Sequence, residues 1–290
     1  MPARLLPRVV GIGDNVVDDY VDRCTMYPGG NALNFSIYAH LLGCDSAYIG
    51  VFGTDDAGRH VEESVSGLGI DHRRCQRVEG PNGRAKLTVE AGERRFLSSN
   101  RGGVSGEVPM DFIFDEPGCL ESFDLAHTSA YSYMDEHLPR LRTLVPRLSY
   151  DFSDDFYIEN ALTLCAHIDF AFFSCAAYSE QDSKELLAQV NRAGSVLAVA
   201  TRGSEGALLF DGSNYYRQDA KPVDAIDTLG AGDAFITAFL INLQRKTGFA
   251  DSPSERTLRN ALEQAAIFAA KTCRVHGASG KGLQYRTLDH

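Results

Sequence analysis

Apolar and polar residues follow two periods along the chain, and the first pattern is that of a buried strand. The run Arg8–Gly13 is apolar and ends in glycines, which predicts a strand inside a sheet. Residues 16–24 alternate only loosely and predict an exposed strand of a small accessory sheet. Apolar residues then recur every four positions from Leu33 onward, which predicts a helix that begins near Gly30.

The rest of the chain alternates between predicted strands and predicted helices. Strands are predicted at 46–52, 124–130, 148–152, 168–173 and 195–200, and helices at 53–67, 137–145, 158–165, 180–193 and 257–274. Strands that alternate with helices form a parallel sheet covered on both faces. We therefore predict an α/β fold of three layers, α/β/α, with a mostly parallel central sheet. Ligands bind at the C-terminal ends of the strands in such folds.

A polar hairpin interrupts this regular pattern. Residues 85–90 and 94–97 predict two strands that can pair with the segment 16–24. Positive charge is concentrated in this hairpin, although the chain as a whole is acidic. The charged side chains can form a solvated face, or they can contact an acidic group of a substrate. The arginines concerned are Arg84, Arg94, Arg95 and Arg101. Residues beyond 282 predict a loose tail.

Composition limits the classes of partner. The chain has 290 residues, 44% of them hydrophobic, which suits one large core or one domain plus an appendage; we predict a single domain over 1–290. Its net charge of −11 argues against a nucleic acid as a partner. Seven cysteines without a C-x-x-C pair predict reduced thiols in a cytosol. We find no signal peptide and no apolar run of membrane-spanning length, so we expect a cytoplasmic location without a membrane partner.

One stretch carries candidate chemistry for phosphate. Gly230, Ala231 and Gly232 put almost no side chain over the backbone where an amphipathic helix is predicted to begin. The first N–H groups of a helix have no internal partner, and with the helix dipole they form an anion site. Asp233 beside this site would repel a phosphate, but it can serve as the general base for an attacking hydroxyl. The alternative is a tight turn in which Asp233 caps the helix.

A second group of polar residues follows the first predicted strand and opens the first helix. Asp14 lies at the C-terminal end of that strand, where ligands bind. Gly29 and Gly30 then make a turn, and Asn31 and Asn34 share a face of the first helical turn. Two amides in this position can bind a substrate with several hydroxyls. The alternatives are that Asp14 is a turn residue and that Asn31 caps the helix.

The stretch 227–235, D-T-L-G-A-G-D-A-F, resembles the C-terminal signature of the PfkB/ribokinase family of carbohydrate kinases. The resemblance extends over nearly the whole chain. It implies a ribokinase-like fold with a small β lid at about 16–26 and 82–102, a homodimer through the lid, and phosphoryl transfer from ATP with Mg²⁺. It implies that Asp233 is the base and that the N–H groups of 230–232 neutralise the transferred phosphoryl group. The residues implied to hold the sugar are Asp14, Gly29, Gly30, Asn31 and Asn34.

The resemblance also assigns the nucleotide and the ions. The residues similar to the family's ATP loop, T-x-G-x-x-G, are Thr201, Gly203 and Gly206. Asp227 matches a family position near ATP and a monovalent cation. For Mg²⁺ the family uses N-x-x-E; its Asn is missing here, but Glu180 can still act through a water. Asp151 is the first residue of the segment D-F-S-D, which is similar to the family segment D-x-N that faces the transferred phosphate. Asp151 is therefore a second candidate for a metal contact.

Within the family, the segments 14–15, 29–34, 151–154 and 271–278 look most like those of fructoselysine and fructosamine kinases. We therefore expect phosphorylation of a primary hydroxyl on a ketose-like sugar such as fructoselysine, with Arg101 binding the carboxylate of its amino acid. The alternatives are a kinase for fructose, ribose or a nucleoside, and a non-catalytic protein that senses sugar or nucleotide. A dehydrogenase is disfavoured, because G-x-G after the first strand lacks the third glycine of a dinucleotide site.

Overall fold

The computed structural model describes residues 6–90, 93–249 and 253–285. The strands are β1 (Arg8–Gly13), β2 (Val16–Tyr20), β3 (Thr25–Gly29), β4 (Asp45–Gly53), β5 (Gln76–Val78), β6 (Gly83–Glu90), β7 (Glu93–Ser99), β8 (Leu125–Ser129), β9 (Leu148–Asp151), β10 (Phe170–Ser174), β11 (Leu197–Thr201), β12 (Ala207–Phe210), β13 (Tyr215–Gln218) and β14 (Leu283–Gln284). The helices are α1 (Asn31–Leu41), α2 (Asp56–Leu68), α3 (Pro117–Leu120), α4 (Leu138–Leu144), α5 (Ile158–Cys165), α6 (Glu180–Ala193), α7 (Ala231–Thr247) and α8 (Glu255–Thr272). The tip of the predicted hairpin at 91–92 and the two ends of the chain lie outside the described residues.

The larger sheet has the strand order β13-β12-β11-β10-β9-β8-β1-β4-β5. Parallel pairing runs without interruption from β11 through β10, β9, β8 and β1 to β4 and β5. The strands β12 and β13 extend the other edge in antiparallel pairing. The predicted mostly parallel sheet is therefore confirmed.

Alternate side chains of β10 belong to two separate cores, which explains why helices cover both faces of the sheet. Phe173 packs in the core that α4, α5 and α6 complete, whereas Phe172 packs in the core that α1, α7 and α8 complete. Both rings are almost fully buried. Burial of one such side chain contributes about 1.5–3 kcal/mol, so both faces stabilise the fold. The predicted three layers are confirmed.

A small sheet with the strand order β14-β3-β2-β6-β7 packs beside the larger one. The hairpin of β6 and β7 joins β2, as the sequence predicts, and β6 pairs with β2 in parallel. The exposed position predicted for residues 16–24 is wrong, because four of the five residues of β2 are buried. Tyr20 of this strand packs against Tyr27 and Leu87 in a small core of its own. The prediction that this sheet is a lid, and that the chain is one domain, stays a prediction.

Residues 283–285 do not belong to the loose tail that the sequence predicts beyond residue 282, whereas residues 286–290 lie outside the described residues. Residues Leu283 and Gln284 form β14, which pairs with β3, so the C-terminal segment extends the small sheet. All seven cysteines are free thiols. Among the helices of the described residues, none has the length and apolar character that a membrane crossing requires.

Candidate active site

Polar side chains collect at one edge of the larger sheet, where the C-terminal ends of its parallel strands meet. Asp14 follows β1, and Asp151 is the last residue of β9. Side chains in the first turn of α1 bond to Asp151 and to the first turn of α7, so both helices begin at this edge. This is the edge at which α/β sheets bind ligands.

Asp233 lies in the first turn of α7 and pairs with Asn34 of α1. The amide Nδ2 of Asn34 donates to Oδ2 of Asp233 over 2.7 Å. Burial, and after it the negative charges of Asp151, Asp14 and Asp18, raise the pKa of Asp233 well above its ordinary value. The hydrogen bond from Asn34 offsets only part of this rise. A carboxylate whose pKa is raised takes up a proton more readily, as a general base must.

Asp151 forms the second pair of this kind, with Asn31. The Nδ2 of Asn31 donates to Oδ2 of Asp151 over 2.9 Å, and the N–H of Ser153 donates to Oδ1 over 2.9 Å. Burial, together with the negative charge of Asp14, raises the pKa of Asp151 to about 7. Residues three apart on a helix have Cβ atoms about 5–6 Å apart, so one turn of α1 connects Asp151 with Asp233.

The carboxylate of Asp14 is fully engaged inside the protein. Its Oδ2 accepts from the N–H of Asn31 at 2.6 Å, and its Oδ1 accepts from the N–H of Ala32 at 3.1 Å. The hydroxyls of Ser132 and Ser129 donate to the same Oδ1 at 2.6 and 3.0 Å. Asp14 therefore caps α1 and positions its two amides. The predicted role of Asp14 as a direct sugar contact stays a prediction, and these contacts favour the positioning role.

Asp18 of β2 is a carboxylate of this site that the sequence analysis missed. It is buried, and its charge contributes to the raised pKa of Asp233. A Cβ atom on Gly29 would lie 2.1 Å from Oδ2 of Asp18, so glycine is needed there for the carboxylate to fit. Gly30, with φ of 107°, is the N-cap of α1. A search for acidic residues on the strand that follows Asp14 could have found Asp18.

The start of α7 is open, as an anion site requires. Gly230 is its N-cap, and no side chain caps the helix. Its φ of 74° favours glycine, and a Cβ atom there would lie 2.5 Å from the Tyr38 hydroxyl. The N–H of Ala231 donates to the carbonyl oxygen of Thr228 at 3.2 Å, so a phosphate would share this donor. The predicted role of the N–H groups of Gly230, Ala231 and Gly232 toward phosphate stays a prediction.

A cavity of about 790 Å³ opens beside the start of α7. Its lining includes the three residues predicted for ATP, which are Thr201, Gly203 and Gly206. Three alanines of α8 form an apolar wall, and Ala231 and Gly232 line the end at the anion site. The size and the apolar wall fit an adenine nucleotide whose phosphates point to α7.

Asp227 is buried behind the loop that precedes α7. Its carboxylate accepts hydrogen bonds from the hydroxyl of Tyr20 at 2.5 Å and from the N–H groups of Gly277 at 2.9 Å and Leu229 at 3.0 Å. A monovalent cation would need oxygen ligands, whereas these neighbours present donors to the carboxylate. The contacts hold the loop in place, and the predicted role beside ATP and a monovalent cation stays a prediction.

Glu180, a predicted metal contact, is surrounded by cations. Its carboxylate lies 2.7 Å from Nζ of Lys184, 3.1 Å from Arg217 and 4.0 Å from Arg202. Lys184, followed by the two arginines, lowers the pKa of Glu180. The described residues hold no group of three acidic, histidine or cysteine side chains placed for a metal. These ion pairs compete with a role of Glu180 toward Mg²⁺, which stays a prediction together with that of Asp151; Mg²⁺ needs only one or two carboxylates besides phosphate and water.

Arg101 lies where the chain returns from the small sheet to the body. It is exposed and has φ of 52°. Its carbonyl oxygen accepts from the hydroxyl of Tyr133 at 2.7 Å, and its N–H donates to Oγ of Ser99 at 3.0 Å. Tyr133 follows Ser132, whose hydroxyl bonds to Asp14, so Arg101 lies near the rim of the acceptor residues. Its role as a contact for a carboxylate stays a prediction.

The chain is similar to known proteins over nearly its whole length, including the residues of this site. The model of the pfkB family carbohydrate kinases matches residues 3–284. The chain belongs to this family. This kinase is 39% identical over 283 residues to the fructosamine kinase FrlD of Bacillus subtilis (strain 168). The aligned residues cover 97% of this chain and 96% of the relative. It is 30% identical over 269 residues to the fructoselysine 6-kinase of Escherichia coli (strain K12), over 92% of this chain and 97% of the relative.

A solved structure shows the same fold. The ribokinase of Arabidopsis thaliana, complexed with ribose and ATP, matches with a TM-score of 0.76 and 18% identity over 95% of each chain. The predictions of a carbohydrate kinase and of a ribokinase-like α/β/α fold are therefore confirmed. The protein is a phosphotransferase that uses an alcohol group as acceptor.

Proposed function

We propose that this kinase transfers the γ-phosphoryl group of ATP to the primary hydroxyl at carbon 6 of a fructosamine such as fructoselysine. The observation that carries the proposal is the pair of Asn34 and Asp233, bonded over 2.7 Å. Asp233 is the neighbour of Gly232, which lines the 790 Å³ cavity. Asp233 thus lies between the nucleotide cavity and the side-chain amides of Asn31 and Asn34, which we propose to bind the acceptor.

Asp233 acts as the general base. It accepts the proton of the attacking hydroxyl, and Asn34 keeps its carboxylate oriented toward the acceptor. Its raised pKa supports this role, because a base of ordinary carboxylate strength would accept the proton less readily. The N–H groups of Gly230, Ala231 and Gly232, with the dipole of α7, stabilise the charge on the transferred phosphoryl group.

The acceptor sugar lies between the first turn of α1 and β2. Asn31 and Asn34 present two amides, and Asn34 Oδ1 is a buried acceptor without a partner among the described residues. A sugar hydroxyl can supply the missing donor. Asp18 faces this region across Gly29 and can accept from further hydroxyls. Asp14 contributes indirectly, because it holds the start of α1.

ATP brings Mg²⁺ to the reaction, and Asp151 is the carboxylate that we propose to act toward it. When bound, the ion would neutralise charge on the phosphates. The small sheet serves as the lid of the single domain and excludes water from the acceptor. Free thiols and the use of ATP support a cytoplasmic location.

The assignment of a fructosamine rests on the relatives and on Arg101. Two relatives are named as a fructosamine kinase and a fructoselysine 6-kinase. Arg101 at the rim is a suitable partner for the carboxylate of the attached amino acid. We also propose a homodimer through the edge strand β7, whose Phe96 and Leu97 are 62% and 49% exposed.

The test is a coupled assay for ADP with ATP, Mg²⁺ and, in turn, fructoselysine, fructose, ribose and a nucleoside. We expect the highest kcat/KM with fructoselysine, and a product that carries phosphate on oxygen 6 by ³¹P and ¹³C spectroscopy. A higher kcat/KM with another acceptor would refute the fructosamine assignment. Binding of sugar and ATP without formation of ADP would instead identify a non-catalytic sensor.

A further inference from the structure

A line of polar side chains leads from Asp233 to the outer rim of the acceptor site. Asn34 bonds to Asp233, and Asn31, one helical turn earlier, bonds to Asp151. The backbone N–H of Ser153 bonds to the other oxygen of Asp151. We call this line the polar track; its members are Asp233, Asn34, Asn31, Asp151, Ser153 and Asp154. In this arrangement, a sugar whose carbon 6 lies at Asp233 would extend its carbon 1 along the track.

The outer end of the polar track is formed by Tyr131, Ser153 and Asp154. The hydroxyl of Tyr131 lies 3.5 Å from Oδ1 of Asp154, and Oγ of Ser153 lies 3.3 Å from each of them. These distances exceed the usual O–H···O range of about 2.5–3.0 Å, so the three groups do not satisfy one another. Tyr131 is 47% exposed, and Asp154 is exposed as well, so a ligand can reach both side chains.

The electrostatics of this end favour a cation. The carboxylates of Asp154, Asp151 and Asp155 all contribute to the raised pKa of Tyr131, for which partial burial is the first cause. The hydrogen bonds that Asp151 accepts come from uncharged groups, the amide of Asn31 and the N–H of Ser153. An exposed tyrosine ring beside carboxylates offers a cation both a π face and opposite charge.

The backbone around the rim is held in an unusual conformation. Arg101, Tyr133 and Ser153 have φ of 52°, 55° and 57°, in the left-handed region that non-glycine residues avoid. They lie on three loops, of which the first two are joined by the bond from Tyr133 to Arg101. Such conformations cost about 1–3 kcal/mol each and are concentrated at ligand sites.

We infer that Tyr131 and Asp154 form the subsite for the protonated amine at carbon 1 of a fructosamine, an inference that rests on the proposed function. An alkylamine is protonated at neutral pH, as the side chain of lysine is. The amine is the group that distinguishes a fructosamine from fructose. Asp154 pairs with the ammonium, and the ring of Tyr131 covers it.

Three acceptors without a carboxylate separate this subsite from Arg101. They are 1-deoxy-1-(methylamino)fructose, which is cationic, and 1-acetamido-1-deoxyfructose and fructose, which are neutral. We expect the wild-type kinase to prefer the cationic acceptor. Asp154→Asn should lower kcat/KM for that acceptor by about tenfold, as expected for the loss of one bond to a charged group, and leave the neutral acceptors unchanged.

Asp155→Asn is the matched control, because it makes the same change of charge at the next exposed residue. Tyr131→Phe keeps the ring and should retain part of the preference, whereas Tyr131→Ala should lose it. Equal losses on all three acceptors, or equal effects of Asp154→Asn and Asp155→Asn, would overturn the inference. So would an increase in the Mg²⁺ requirement of Asp154→Asn, which would assign the carboxylate to the metal. A wild-type kinase that prefers no cationic acceptor yet phosphorylates the neutral ones would refute the subsite and leave the kinase assignment standing.

Discussion

The hydroxyl of Tyr20 donates to Oδ2 of Asp227 over 2.5 Å, and this bond ties the small sheet to the loop that leads into α7. Tyr20 ends β2, and Asp227 also accepts from the N–H groups of Leu229 and Gly277. The small sheet and the anion site thus share one buried carboxylate. A movement of the sheet over the acceptor would act on the start of α7 through this bond.

Tyr20→Phe removes this bond and should lower both stability and kcat. Loss of one hydrogen bond to a charged group reduces the free energy of unfolding by about 1.5–3 kcal/mol. Tyr285→Phe is the control, because it removes the 2.5 Å bond to Asp19 in the same sheet without contact with the loop before α7. Chemical denaturation and steady-state kinetics should show that only Tyr20→Phe lowers kcat. An equal fall of kcat in Tyr285→Phe would show that the bond to Asp227 has no particular role in the reaction.

Asp14→Ala should act first on stability. It removes the acceptor for two N–H groups at the start of α1 and for two buried hydroxyls. Loss of a helix cap alone costs about 0.5–2 kcal/mol, and the uncapped amides of α1 should also raise the KM for the sugar. Urea denaturation measures the first effect. Unchanged stability together with a raised KM for sugar would instead identify Asp14 as a direct sugar contact.

Glu180→Gln should leave the Mg²⁺ requirement of the kinase unchanged. Its carboxylate is paired with Lys184 and Arg217, so the ion should not depend on it. The measurement is the Mg²⁺ concentration that gives half the maximal rate at fixed ATP, with Lys184→Gln as a control for loss of the ion pair. A markedly higher Mg²⁺ requirement in Glu180→Gln alone would restore the metal role that the sequence suggests.

Asp151 should make stability fall as pH rises. Its pKa in the folded protein is raised to about 7, so between its ordinary value and 7 the folded state holds a proton that the unfolded chain has released. Stability is therefore lost as pH rises through this window. In Asp151→Asn, the free energy of unfolding should change less between about pH 5 and about pH 8 than in the wild type. Identical pH dependence of the two proteins would contradict the raised pKa; Asp155→Asn, at an exposed position, should match the wild type.

The elements of the larger sheet could be predicted because each satisfies its own local pattern. Strands such as β1 and β10 are short apolar runs, and α6 begins at Glu180 and ends at Ala193 as its periodicity indicates. The start of α7 could be predicted because the small residues Gly230 to Gly232 directly precede an amphipathic run.

The small sheet was harder to predict because its burial depends on distant residues. Asp18 and Asp19 are adjacent acidic residues, which is typical of an exposed strand, yet both are buried. Asp19 is buried because Tyr285 and Arg84 bond to it from other parts of the chain. The ion pairs of Glu180 with Arg217 likewise join residues far apart in sequence. No local pattern contains such long-range contacts, which is why the burial of Asp18 was missed; the metal role of Glu180 stays a prediction.

Asp233→Asn tests the central claim most directly. The variant keeps a side chain that can bond to Asn34 and should bind ATP as the wild type does, but it cannot accept the proton of the acceptor hydroxyl. General bases contribute about 10²–10⁴-fold to rates, so kcat with fructoselysine should fall by about that factor while the dissociation constant for ATP stays the same. A variant that keeps near-normal kcat would contradict the assignment of Asp233 as the base.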